Sequence, residues 1–347
     1  MRVGVCYALA AAMLFGVSTP IAKVLVGDIA PVLLAGILYA GSGLGLGIWI
    51  AFRRVAVGPA GRPGLAPGDY PWLGGAVLLG GILGPALFMI GLARVPASVT
   101  SLLLNLEGVL TVLLAWIAFK ENFDRRVLLG MALIVCGGLL LGFQPGEIDL
   151  SWSAGAIALA CLCWALDNNL TRRISGADPV QIAAIKGAVA GAVNLSVMAA
   201  LGVDFPAPKL VAGAGLVGLL GYGVSLALFV AALRELGTAR TGAYFSTAPF
   251  IGAACSFVLL EESPGSAFWT AGALMACGVV LHLTERHQHA HGHETLMHQH
   301  GHSHDEHHQH RHDFAWDGTE PHVHDHEHEA LKHSHTHYPD IHHRHGH

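Results

Sequence analysis

Leu92–Glu121, LARVPASVTSLLLNLEGVLTVLLAWIAFKE, is an apolar run of transmembrane length, opened by Pro96 and closed by Lys120-Glu121. Asn105 and Glu107 interrupt it near the middle, where a carboxylate in hydrocarbon is costly enough to need a reason. A second stretch, Leu233–Glu262, LRELGTARTGAYFSTAPFIGAACSFVLLEE, repeats its layout. At a constant offset of 141, Pro96 falls on Gly237, Thr100 on Thr241, Asn105 on Ser246, Gly108 on Pro249, Trp116 on Phe257 and Glu121 on Glu262.

Working outward, the 347 residues are 53% hydrophobic and only 12% charged, against about 25% charge in an ordinary soluble domain. Apolar segments of about 20 residues recur from Val3 to Leu283, which marks an all-α integral membrane protein. Ten spans are expected, near 3–26, 29–52, 71–92, 96–119, 125–143, 153–172, 179–202, 209–233, 239–260 and 266–284. The first is read as an uncleaved helix, since its apolar run exceeds the roughly 7–15 residues of a signal-peptide core. The six cysteines all lie in apolar segments and are read as small buried hydrophobes rather than disulfides.

Basic residues divide unevenly between the two sides. Arg2, Arg53, Arg54, Arg62, Lys120, Arg125, Arg126, Arg172, Arg173, Arg234 and Arg240 share the side of the termini, and only Arg94 and Lys209 fall opposite. Lysine and arginine favour the cytoplasm, so both termini are expected there, in an inner (plasma) membrane.

The first and sixth spans also correspond. Phe15-Gly-Val-Ser-Thr-Pro-Ile-Ala-Lys23 aligns with Trp164-Ala-Leu-Asp-Asn-Asn-Leu-Thr-Arg172 at offset 149, and after one gap Ile29-Ala-Pro31 resembles Ala177-Asp178-Pro179 at offset 148. A unit of five spans is odd, so its second copy must insert upside down, a recurring plan for secondary transporters with the substrate near the midplane. The expected architecture is two inverted five-helix repeats, 1–143 and 144–286, followed by a disordered tail, 287–347.

On those residues the chain resembles the EamA branch of the drug/metabolite transporter superfamily. The resemblance rests on Leu-x-x-Glu-[Pro/Gly] in the fourth span, the terminal glutamates, and the stretches Ala8–Lys23, Gly91–Glu121, Ala158–Arg173 and Ala232–Glu262. It implies a ten-helix inner-membrane carrier, usually an exporter of amino acids or other small metabolites. Two departures stand out: Gly108 replaces the usual proline after Glu107, and Ala248 replaces the second half's glutamate beside Pro249.

Candidate pathway residues follow from polarity inside the spans. Ser101, Asn105 and Gly108 share a helix face, as do Ser246 and Pro249 in the counterpart, so a cavity wall competes there with close helix packing. Glu107 is either a structural carboxyl or a substrate-ammonium or proton site. Asp167 and Asn168 in the sixth span and Lys186 inside the seventh are further insertions, and Asp167 is the expected partner of Lys186, as a structural pair or a clamp for a zwitterion. Trp164, Tyr222, Tyr244 and Phe245 are candidate pocket aromatics, and Lys23 is expected to snorkel from a helix end. H-E-x-x-H, G-x-S-x-G and P-loop patterns are absent, which argues against an enzyme or an ATP-driven pump. No cofactor is required for gradient-driven transport. The expected partners are a small-molecule substrate, the lipid bilayer and divalent metal ions, with no nucleic acid and with a homodimer as the assembly considered.

Beyond Arg286 the composition changes: the last 61 residues hold 23 histidines, mostly as His-x-His. His287, His289, His291, His293, His298, His300, His302, His304, His322, His324, His326 and His328 form its two densest runs. Imidazole suits zinc, nickel, cobalt and copper, so exchangeable metal binding is expected. The functions open at this stage are a metabolite exporter with a metal-binding tail, a divalent-metal or metal-chelate exporter loaded by it, and a metal-sensing receptor.

Overall fold

The computed structural model describes residues 2–56, 58, 64–119, 125–142 and 148–284, and in the tail 288–292, 296–302, 322–328 and 332–336. The expected boundaries at 143/144 and 286/287, Lys120-Glu121, and His287, His293 and His304 lie outside the described residues. The chain forms two units, Met1–Glu285 and Arg286–His347.

The first unit is helical. We number its helices α1 (Arg2–Leu25), α2 (Pro31–Ala56), α3 (Pro67–Arg94), α4 (Ala97–Leu103 continued by Asn105–Phe119), α5 (Arg125–Gly142), α6 (Ile148–Ile174), α7 (Pro179–Ala200), α8 (Pro208–Gly237), α9 (Arg240–Leu259) and α10 (Ser266–Leu283). Nine of these, all but α6, are long and apolar enough to cross a membrane among the described residues. The outward faces are apolar, with Met13, Ile48, Leu139 and Val258 exposed, as hydrocarbon contact demands.

Glycine sets the closest approaches. A side chain on Gly43 would strike the backbone of Ala188, and one on Gly191 the backbone of Ala40, so α2 and α7 cross with their backbones in contact. At an offset of 148 these two contacts are the same contact seen from either helix. Small residues permit such crossings, and dispersion along them is the main attraction available between helices in lipid.

Helices α3 and α8 share a defect. Each widens into one π-helical stretch, Val77–Leu83 and Gly218–Val224, at positions again 141 apart. Such stretches release a carbonyl from the regular ladder, which must be satisfied inside the protein. Gly80 shows how: its carbonyl accepts from the Tyr39 hydroxyl at 2.8 Å and from Trp164 Nε1 at 3.1 Å. Helices α4 and α9 are also interrupted at corresponding places. Helical geometry tightens at Leu104 in α4, and at Ser246-Thr247 in the other half. Gly237 separates α8 from α9 at φ 75°, a left-handed conformation that glycine adopts without a Cβ penalty.

The tail was expected to be disordered. Its described pieces are four short strands, β1 (Gln288–Gly292), β2 (Leu296–His302), β3 (His322–His328) and β4 (Lys332–Thr336). They pair antiparallel as β1 with β4 and β2 with β3.

Candidate functional site

The site is built where α4 breaks. Leu104 N donates to Thr100 O at 3.3 Å and Ser101 O at 3.2 Å, and Glu107 N donates to Leu104 O at 3.0 Å, three residues back instead of four. The turn tightens and Glu107 faces α6. There its Oε1 accepts a hydrogen bond from Asn168 Nδ2 at 2.8 Å, and the same nitrogen reaches Thr111 Oγ1 at 3.3 Å. Asn169 Nδ2 ties α6 to α4 by donating to Thr111 O at 3.2 Å.

One turn away, Lys186 Nζ of α7 donates to Asp167 Oδ2 at 2.5 Å, with the lysine side chain 1% and the aspartate 6% exposed. Thr171 Oγ1 donates to the other carboxylate oxygen at 2.9 Å. The sequence reading placed these two residues together, and the structure pairs them. The carboxylate packs so closely on Gly80 that any side chain there would overlap it.

Two adjoining cavities surround these groups, with empty volumes of about 410 and 480 Å³. Glu107 and Asn168 line both, together with Phe15, Phe229 and Phe245. The smaller adds Thr111, Gly108 and Ser246; the larger adds Tyr39, Trp164, Tyr222, Asp167 and Lys186. The rings form a connected wall: Phe15 lies 6.0 Å from Trp164, 5.7 Å from Tyr222 and 5.5 Å from Phe245. Phe229 lies 4.9 Å from Phe245.

Of the candidate pathway residues, Glu107, Trp164, Asp167, Asn168, Lys186 and Ser246 are therefore brought together at the cavities. Ser101, Asn105 and Tyr244 are not among the lining residues. Ser101 is fully buried against Gly252 of α9. Asn105 turns its amide to Leu102 O at 3.1 Å and Met275 Sδ at 3.8 Å. Tyr244 packs against Ala8, Ala232 and Leu236. A continuous helical wheel put Ser101, Asn105 and Gly108 on one face, but the tightening at Leu104 breaks the wheel between them. Phe15, Tyr39, Phe229 and Ser225 went unnoticed as lining residues. Phe15 had a signal, since it aligns with Trp164 at offset 149, whereas Tyr39 and Phe229 sit in apolar runs that offer none.

A second constellation clamps the turn between α3 and α4. Lys23 Nζ donates to the carbonyls of Leu92 at 2.6 Å, Ala93 at 3.3 Å and Val95 at 2.9 Å. It does not snorkel as expected: it satisfies the free carbonyls at the C-terminus of α3. From the other side, the Glu262 carboxylate accepts from Ala97 N at 2.8 Å and Ser98 N at 2.9 Å, the free donors at the start of α4. Among the described residues, no three His, Cys, Asp or Glu side chains gather as a metal site. In the tail the backbone register sets His298 opposite His326, His300 opposite His324 and His302 opposite His322.

A bundle of apolar spanning helices around a solute-sized, partly polar cavity defines a polytopic membrane transporter. The family model for EamA-like transporters matches twice, over residues 2–143 and 151–284, and the chain belongs to the EamA-like transporter family. A protein of Methanothermobacter thermautotrophicus, described as an uncharacterized transporter, is 28% identical over 290 residues, covering 78% of this chain and 83% of its own. The uncharacterized transporter YyaM of Bacillus subtilis is 28% identical over 217 residues, 56% of this chain and 69% of its own. Over 75 residues, 22% of this chain and 63% of the relative, the chain is 43% identical to the probable 4-amino-4-deoxy-L-arabinose-phosphoundecaprenol flippase subunit ArnE of Pseudomonas paraeruginosa. One solved crystal structure superposes with a TM-score of 0.61 at 16% identity, covering 80% of this chain and 94% of that one, a likeness of fold alone.

Proposed function

We propose that the protein is a secondary-active carrier of the inner membrane that exports a small, amino-acid-like organic metabolite through the cavity around Glu107. The observation carrying this reading is that cavity. A carboxylate, an amide and an ion pair inside membrane-spanning helices, walled by aromatic rings, are expensive unless they meet a solute. The reading includes ten spans arranged as two inverted five-helix repeats. Its support is the double family match, the paired π-helical stretches, and the Gly43–Ala188 and Gly191–Ala40 contacts that exchange at one offset. The excess of arginine and lysine on one side supports cytoplasmic termini.

In this mechanism Glu107 alternates between holding a proton and holding the substrate, which couples export to the proton gradient. Asp167, held by Lys186 and Thr171, is the other carboxylate considered as the proton carrier. The clamp of Lys23 and Glu262 closes one end of the pathway by tying α1 and the α9–α10 connection to the α3–α4 turn.

The histidine tail binds divalent transition metals in this reading. The support is the run of His-x-His, whose described strands set His298, His300 and His302 opposite His326, His324 and His322 in the backbone register. That register also favours a second reading, export of a divalent metal or a metal chelate loaded by the tail. Purified protein in proteoliposomes separates the two. The first reading expects labelled amino-acid or amine efflux that responds to a pH gradient and survives deletion of 287–347. Efflux of nickel, cobalt or zinc that vanishes on that deletion, with no organic solute moving, would overturn it. If no solute moves at all, a metal-sensing receptor takes its place.

A further inference from the structure

Resting on the transport reading above, we infer that the cavity selects organic monocations: its ligand carries an ammonium group beside Glu107 and an apolar body among the rings, without a carboxylate. The first argument is charge balance. Among the described residues, three carboxylate or ammonium side chains line the two cavities, Glu107, Asp167 and Lys186. Lys186 is spent on Asp167 and is 1% exposed. That leaves Glu107, whose side chain accepts from neutral Asn168, as the unbalanced charge among the described lining residues. An anionic or zwitterionic ligand would bring a second carboxylate to a wall whose single ammonium is already taken. A cation balances the wall.

The second argument is independent of charge. Phe15, Trp164, Tyr222 and Phe245 form a chain of ring contacts lining the larger cavity, and Phe15 and Phe245 continue into the smaller one, where Glu107 sits. Ring faces attract ammonium groups and apolar bodies alike, and repel carboxylates. They offer no lone pair to a bare divalent ion, which needs several oxygen, nitrogen or sulfur donors at once. An ammonium here would meet a carboxylate and the aromatic rings that line the same cavities. The amino-acid-like substrate of the transport reading is thereby narrowed to the amine, amide or ester side of that class.

The test uses full-length protein in nanodiscs and three ligands of one shape: phenethylamine (cation), phenylalanine (zwitterion) and 3-phenylpropionate (anion). Calorimetric titration should give the amine at least tenfold tighter binding than phenylalanine and no heat from phenylpropionate. Glu107→Gln should weaken the amine tenfold or more, and Phe15→Leu about two- to thirtyfold. Val258→Ala, on the exposed outer face of α9 and away from both cavities, should bind as the parent does and serves as the folded control. The inference is overturned if phenylalanine or phenylpropionate binds as well as the amine, if Glu107→Gln leaves amine affinity intact, or if none of the three binds at millimolar concentration. Failure of the transport reading looks different. Amine binding with no counterflow of phenethylamine in proteoliposomes would keep the site and remove the carrier; flux of phenylalanine without amine binding would do the reverse.

Discussion

Removing the charge of Asp167 while keeping its shape is the sharpest perturbation the structure offers. Asp167→Asn fits the same space against Gly80, but its single amide oxygen can replace only one of the two carboxylate oxygens that accept from Lys186 and Thr171, and it strips Lys186 of its counter-charge. The lysine side chain is 1% exposed, within helix α7. Breaking a buried pair from one side costs about 3–5 kcal/mol, because the remaining charge stays desolvated and unpaired. Folded proteins are stable by only about 5–15 kcal/mol, so the loss is a large fraction of the whole. Replacing both partners, as in Asp167→Asn with Lys186→Met, removes the orphan charge and should recover most of that loss, giving a strongly non-additive cycle. The assay is the midpoint of thermal aggregation of the detergent-solubilised protein for parent, both single variants and the double. An unchanged midpoint for Asp167→Asn, or a double variant as unstable as the two singles summed, would refute the buried pair. Transport by the stable double variant then decides its role. Retained flux makes the pair a strut, and lost flux makes it part of the substrate's wall.

Other perturbations read other parts of the molecule. Gly80→Ala should abolish transport and lower the aggregation midpoint, since the new methyl meets the Asp167 carboxylate, whereas Gly242→Ala opens onto free space and should leave the midpoint unchanged. Glu262→Ala frees the donors of Ala97 and Ser98, costs about 1 kcal/mol as other lost helix caps do, and should raise a solute's leak through the closed state in vesicle flux assays. Glu107→Gln should flatten the pH dependence of flux, measured from pH 5.5 to 8.5; a parent-like pH profile would make Glu107 structural. Calorimetry with nickel or zinc should give several equivalents per chain for the parent and none of these high-capacity sites after deletion of 287–347.

Much of the fold was legible because membrane helices announce themselves by length and apolarity. The expected spans near 3–26, 125–143 and 266–284 match α1, α5 and α10 to within a few residues. What escaped was local departure from the regular helix. Nothing in Val77–Leu83 or Gly218–Val224 beyond a few glycines signals a π turn, because the extra residue per turn is selected by packing around it. The break at Leu104 is silent for the same reason, and it misplaced Ser101 and Asn105 while leaving Glu107 and Ser246 at the cavity. Charged residues were easier to place, since burying Asp167 or Lys186 without the other is prohibitive. Lys23 was misread, and the capping by Glu262 went unnoticed, because capping depends on where another helix ends, which a single span does not show.

The two matched segments share a scaffold but not a chemistry. Gly80 packs on Asp167 just as Gly221, 141 residues on, packs on Ser18, the position aligned with Asp167 at offset 149. Around that same position Asn168 aligns with Thr19, Lys186 with Leu38, and Glu107 with Ala248. Every ionisable group of one site is therefore apolar or a hydroxyl in the other. Two charged sites facing opposite ends would each bury an ion pair and a free carboxylate, and a solute would have to cross the apolar layer between them. One charged site beside the α2–α7 crossing needs no such step: the helices around it can rearrange while the solute keeps its counter-charge. The small residues at that crossing supply the freedom, since Gly43 and Gly191 present no side chains to interlock. On this argument Gly43→Val should arrest exchange of bound solute more than it weakens binding, and equal loss of both would show the crossing to be a fixed strut.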